Sequence, residues 1–128
     1  MEVPRAQWTA LARADEVGRM RRAAAATAAE LGLSGRALEH FELAVSEALT
    51  NVVLHAYHGR PGSMSMEVEG NDDVVRVTVA DEGDGMGARA ENRGLGLGLG
   101  ILASAADCCQ IRTRRGQGMQ ITLGFVLH

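Results

Sequence analysis

Apolar and polar positions recur along the chain with two different periods, and together they predict eight elements. Residues 7–13 (QWTALAR) read as a short first strand. Asp15 opens an alanine-rich stretch that continues to about Leu31; alanine favours helix and Gly32 suits the stop. Ser34 is placed to cap a second helix running to about Tyr57. Along it Leu38, Phe41, Val45, Ala48, Leu49, Val52, Val53 and Ala56 fall at helical spacing and form a wide apolar face. His58–Gly62 is a turn cluster. SMSMEVE and VVRVTVAD then alternate as half-buried strands do, separated by Gly70-Asn71-Asp72. Glycine dominates from Gly83 to Gly100, a third helix is expected through ILASAAD, and two strands, CCQIRTR and MQITLGFVL, close the chain. This order predicts an α+β fold: a two-layer sandwich with a mixed, mostly antiparallel sheet and helices on one face.

The 128 residues suit one domain, residues 1–128, and 46% hydrophobic content is enough for a single core. All 13 basic residues are arginine. The lack of lysine excludes a Walker-A phosphate loop, a kinase strand lysine and a Schiff-base enzyme. A net charge of -3 argues against direct nucleic-acid binding. No signal peptide and no membrane span are visible, so a cytoplasmic protein without a membrane role is expected. Cys108 and Cys109 are adjacent, match no zinc spacing, and read as small buried apolar residues.

Three constellations carry chemistry. Glu47, Asn51 and His55 stand at i, i+4 and i+8 on the second helix, in one stripe. There a carboxamide oxygen can join a Mg²⁺ shell and a carboxylate can take a proton from a hydroxyl; a solvated helix flank is the plain alternative. Next, Asp81 ends a strand and is followed by Gly83 and Gly85. An ionised carboxylate accepts but cannot donate, so it suits an exocyclic amine such as that of adenine, while glycine lets backbone approach a flat ligand; an ordinary Asp-Gly turn is the alternative. Finally, Gly94, Gly96, Gly98 and Gly100 alternate with leucine and run into a helix, where exposed N–H groups and the helix N-terminus can hold phosphates. A dinucleotide-binding strand–helix unit would place its glycines earlier, after a first strand.

In this order the motifs resemble the N, G1 and G2 boxes of the histidine kinase-like ATPases, the clan that includes gyrase, ninety-kilodalton heat-shock chaperones and mismatch-repair proteins. Within it the chain is most similar to the bacterial anti-sigma factor serine kinases, above all over AVSEALTNVVLHAY (Ala44–Tyr57). The resemblance implies ATP and Mg²⁺ as cofactors, Asn51 as metal ligand and Glu47 as catalytic base. It implies Asp81 on the adenine amine, Gly83 and Gly85 beside it, and Gly94, Gly96 and Gly98 around the phosphates. For His55 it leaves two readings, packing beside the nucleotide or capping the helix. The implied activity is phosphorylation of a serine on an anti-anti-sigma antagonist and, in an alternative complex, sequestration of a sigma factor, usually by a homodimer. With no lysine, positive charge at the phosphates would come from backbone amides, Mg²⁺ and Arg89 or Arg93; a solvated loop is the other reading of those arginines.

Two departures from the family pattern favour a rival, a nucleotide-responsive binding switch with little or no kinase activity. Only Ala88–Arg93 separate Gly87 from Gly94, a short lid, and Met119 stands where the family usually has threonine, with Thr122 expected to face solvent. Arg19, Arg21 and Arg22 read as a solvated face, with an acidic partner surface as the alternative.

Overall fold

The computed structural model describes residues 5–83, 104–114 and 118–128. Five strands, β1 (Arg5–Leu11), β2 (Ser63–Gly70), β3 (Val74–Asp81), β4 (Cys108–Arg114) and β5 (Gly118–Val126), form one sheet in the order β1-β2-β3-β5-β4. The sheet, expected to be mostly antiparallel, is antiparallel in all four described ladders. Helices α1 (Ala14–Glu30) and α2 (Gly35–Asn51) cover one face, and a π-helical turn, Val52–Ala56, extends α2.

The alternation in β2 and β3 does what a period of two requires. Met64, Met66, Val68, Val75, Val77 and Val79 point into the core, where Ile121, Leu123 and Phe125 of β5 join them. Small residues of α1, Ala24 and Ala28, let α2 pack close, and α2 lowers Phe41, Val45 and Leu49 onto the sheet. Phe41 meets Phe125 edge to face, ring centres 5.3 Å apart. The other sheet face carries mostly polar side chains, among them Gln7, Thr9, Glu67, Arg76 and Gln120, with Leu11 and Val126 exposed on it.

Helix α1 ends as its glycine predicts. Gly32 adopts φ +113°, its N–H bonds the Ala29 carbonyl, and the Leu33 N–H bonds that of Ala28. This is the Schellman arrangement, with Leu33 buried beneath it. Ser34 does not act as the expected side-chain cap: it makes no cap hydrogen bond. Gly35 follows at φ +57°, which turns the backbone out of helical geometry where the hydroxyl would need an amide. Nor does α-helix continue to Tyr57, since the wider π turn takes over at Val52.

The β2–β3 turn is held by Asn71, whose Oδ1 accepts the N–H groups of Asp73 (2.7 Å) and Val74 (3.0 Å). Both cysteines are exposed, not buried as expected, because β4 is an edge strand. The helix anticipated through ILASAAD begins outside the described residues. Among the described residues no helix is long and apolar enough to cross a membrane.

Candidate functional site

The core contains two buried polar side chains among the described residues, Asn51 (6% exposed) and Asp81 (7%). Asn51 is the last residue of α2 and Asp81 the last of β3. Each carries a buried atom without a hydrogen-bond partner among the described residues: Nδ2 of Asn51 and Oδ2 of Asp81. A buried polar group left unpaired costs about 1–3 kcal/mol, so each of these atoms is a place where a bound group could gain a hydrogen bond.

The elements meet at a tight junction. Oδ1 of Asp81 accepts the Gly83 N–H at 2.9 Å, folding the chain back just after the strand. A Cβ on Gly83 would run into the Ala56 carbonyl, so the turn lies flat against the end of the π turn. From the opposite side, Gly118 at φ +95° presses its backbone onto the Asp81 carbonyl, where a Cβ would also collide. Burial pushes the Asp81 carboxyl above its ordinary value, opposed by the backbone N–H groups of Gly83 and Met119. Gly83→Ala is therefore expected to cost about 1–3 kcal/mol, since neither backbone can yield cheaply. An unchanged denaturation midpoint would show that the turn is not pressed against Ala56.

Glu47 lies one turn before Asn51 and is half-buried. His55 is exposed whereas Asn51 is buried, because the π turn changes the helical phase between them. Gly85, Gly94, Gly96, Gly98, Arg89 and Arg93 lie outside the described residues. Met119 buries its side chain in the core and directs its N–H at Asp81. Thr122 is not simply solvated: its hydroxyl lies 3.2 Å from that of Thr78 across the β3–β5 ladder.

Sequence reasoning missed two contributors. One is Gly118, whose only signal was its place in Gly-Gln-Gly. The other is Tyr57, whose hydroxyl accepts the Glu82 N–H at 2.9 Å; the motif ending His-Ala-Tyr contained it without stating its use.

This arrangement fits an adenine nucleotide. An amine donor would satisfy Oδ2 of Asp81, and the Asn51 carboxamide supplies an oxygen of the kind Mg²⁺ accepts beside water and phosphate. Among the described residues no cluster of three metal-binding side chains occurs, so a metal here would take most of its shell from elsewhere.

Comparison with known proteins places the chain. The pattern of the histidine kinase-like ATPase domain matches residues 10–125. A serine-protein kinase RsbW of Bacillus subtilis is 38% identical over 74 residues, covering 57% of this chain and 46% of the relative. An anti-sigma F factor of Geobacillus stearothermophilus is 42% identical over 60 residues, covering 46% of this chain and 41% of the relative. The matches thus span less than half the length of these curated relatives. A crystal structure of RsbU and RsbW domains from a Mycobacterium tuberculosis protein superposes with a TM-score of 0.75 at 22% identity, covering 95% of this chain and 31% of that one. That likeness extends the agreement to the fold of nearly the whole chain. With its two-layer sandwich and its helix-end and strand-end motifs, the chain belongs to the histidine kinase-like ATPase domain family.

Proposed function

We propose that this chain is an ATP-binding anti-sigma factor and protein serine kinase, working as a single domain in the cytoplasm. The observation that carries the reading is the pair of buried side chains, Asn51 at the end of α2 with Nδ2 unpartnered and Asp81 at the end of β3 with Oδ2 unpartnered among the described residues. The relatives' names, serine-protein kinase and anti-sigma F factor, support the class of activity.

In this reading Asp81 receives the adenine amine on Oδ2 while Gly83 keeps the backbone low enough for the base to lie against it. Asn51 holds Mg²⁺ through its carboxamide oxygen, and Glu47 accepts the proton of the substrate serine hydroxyl. Bound MgATP supplies the phosphoryl group and the charge neutralisation on which such transfers depend. The glycines Gly85, Gly94, Gly96 and Gly98 would line the base and the phosphates. The protein substrate is an anti-anti-sigma antagonist, the alternative partner is a sigma factor, and the working unit is a homodimer.

A second reading, a nucleotide-responsive binding switch with little kinase activity, is favoured by Met119. Its buried thioether offers no hydroxyl at the position where the family usually has threonine.

Calorimetric titration of ATP, with and without Mg²⁺, tests the site. The wild type should bind in a Mg²⁺-dependent manner and Asn51→Ala should lose that dependence. Absence of binding by the wild type under both conditions would overturn the proposal.

A further inference from the structure

The end of the β2–β3 ladder is irregular in a way that the nucleotide reading alone does not use. The register pairs Met64 with Asp81, so its next step would set Ser63 opposite Glu82. A direct bond at that step would join the Glu82 N–H to the Ser63 carbonyl. Instead a phenol stands between them: the Tyr57 hydroxyl accepts the Glu82 N–H at 2.9 Å and donates to the Ser63 carbonyl at 2.5 Å. The ladder stays satisfied while its two strands are held apart by one oxygen. The ring that delivers this oxygen lies across Gly62, where a Cβ would collide with it. Glu82 sits between Asp81, which carries the unpartnered carboxylate oxygen, and Gly83, which rests on the Ala56 carbonyl.

We propose that Tyr57 is a positioning residue of the nucleotide site, a side-chain rung that wedges the end of β3 away from β2 and seats the Asp81–Gly83 turn on the π turn. The inference rests on the nucleotide-binding reading above. Without the hydroxyl, the Glu82 N–H and the Ser63 carbonyl are free to close on each other, drawing the turn off Ala56 and Asp81 out of line with the base. A ring without its oxygen still fills the half-buried space against the core, so folding should survive.

The test compares ATP and GTP binding by the wild type, Tyr57→Phe and Gly62→Ala. Tyr57→Phe should weaken ATP by about three- to tenfold, the range expected from the loss of one or two net hydrogen bonds. GTP binding should change little, so discrimination between the bases narrows while the melting temperature holds. Gly62→Ala, which displaces the ring but keeps the hydroxyl, should narrow it in the same way. Equal weakening of ATP and GTP, or wild-type discrimination in Tyr57→Phe, would overturn the wedge while leaving the nucleotide site standing. A wild type that binds no ATP would overturn both.

Discussion

Glu47→Gln should bind MgATP as the wild type does and transfer phosphate on the order of 10²- to 10⁴-fold more slowly, the range a positioned general base contributes. The expectation comes from the placement of the side chain. Glu47 stands one helical turn from Asn51 and is only half-buried, so in the proposed reading a serine hydroxyl reaches it while the buried Asn51 faces the metal. Glutamine keeps the shape and can still hydrogen-bond the hydroxyl, but it cannot take the proton. Since the position is not in the core, stability should change by no more than about 0.5 kcal/mol. Single-turnover transfer to a serine-bearing antagonist, with ATP binding measured in parallel, makes the check. Unaltered transfer by the variant would remove Glu47 from the chemistry. A wild type that binds ATP but hardly transfers phosphate would instead favour the switch reading.

Asp81→Asn should lose ATP affinity by about a hundredfold, as expected when a charge-assisted hydrogen bond is replaced by a mismatch. The asparagine oxygen can keep the Gly83 N–H, which turns its amide donor toward the ligand, facing the donor amine of adenine. The variant should nevertheless be at least as stable as the wild type at neutral pH. Burial holds the Asp81 carboxyl above its ordinary value of 3.8, so the folded state binds that proton more tightly than the unfolded one. The ionised carboxylate therefore opposes folding above its folded-state value, and the cost disappears as pH falls through that value toward 3.8. The stability advantage of Asp81→Asn should shrink over the same interval. Wild-type ATP affinity should fall there too, because a protonated Oδ2 no longer accepts. Thermal unfolding and titration at several pH values read both trends; a variant less stable than the wild type at neutral pH would contradict the argument.

Much of the fold was legible from local periodicity. β2 and β3 showed their alternation plainly, and α2 displayed its core face residue by residue, because in each the buried side is set by the period of the element. The stop at Gly32 was legible for a related reason: a left-handed residue after a helix is a local need that glycine meets. The features that escaped depend on pairings distant in sequence. Nothing within β5 indicates that it slots between β3 and β4, and the exposure of Cys108 and Cys109 follows from that order and not from their own hydrophobicity. Ser34 stands at the expected N-cap position, but its side-chain bond is missing where its neighbour Gly35 takes a backbone conformation that the serine pattern does not encode. In the candidate site, Asn51 and Asp81 could be named from the sequence because helix-end and strand-end motifs single them out, and both are buried at those ends. Tyr57, Gly118 and the Met119 N–H were hidden because each works through backbone groups that only folding brings together.

The π turn at Val52–Ala56 makes the count of residues between Asn51 and Tyr57 as consequential as their identities. Its hydrogen bonds skip one more residue than those of an α-helix. Converting these same residues to ordinary helix, with none deleted, would swing the tyrosine ring on the order of 100° around the axis, off its glycine seat. Substitutions chosen to straighten a helix are a common route to thermostability. In this segment they would harden the scaffold while disengaging the tyrosine proposed to seat the turn after β3, so on that proposal a search for heat-resistant variants would drift toward proteins that fold well and bind poorly.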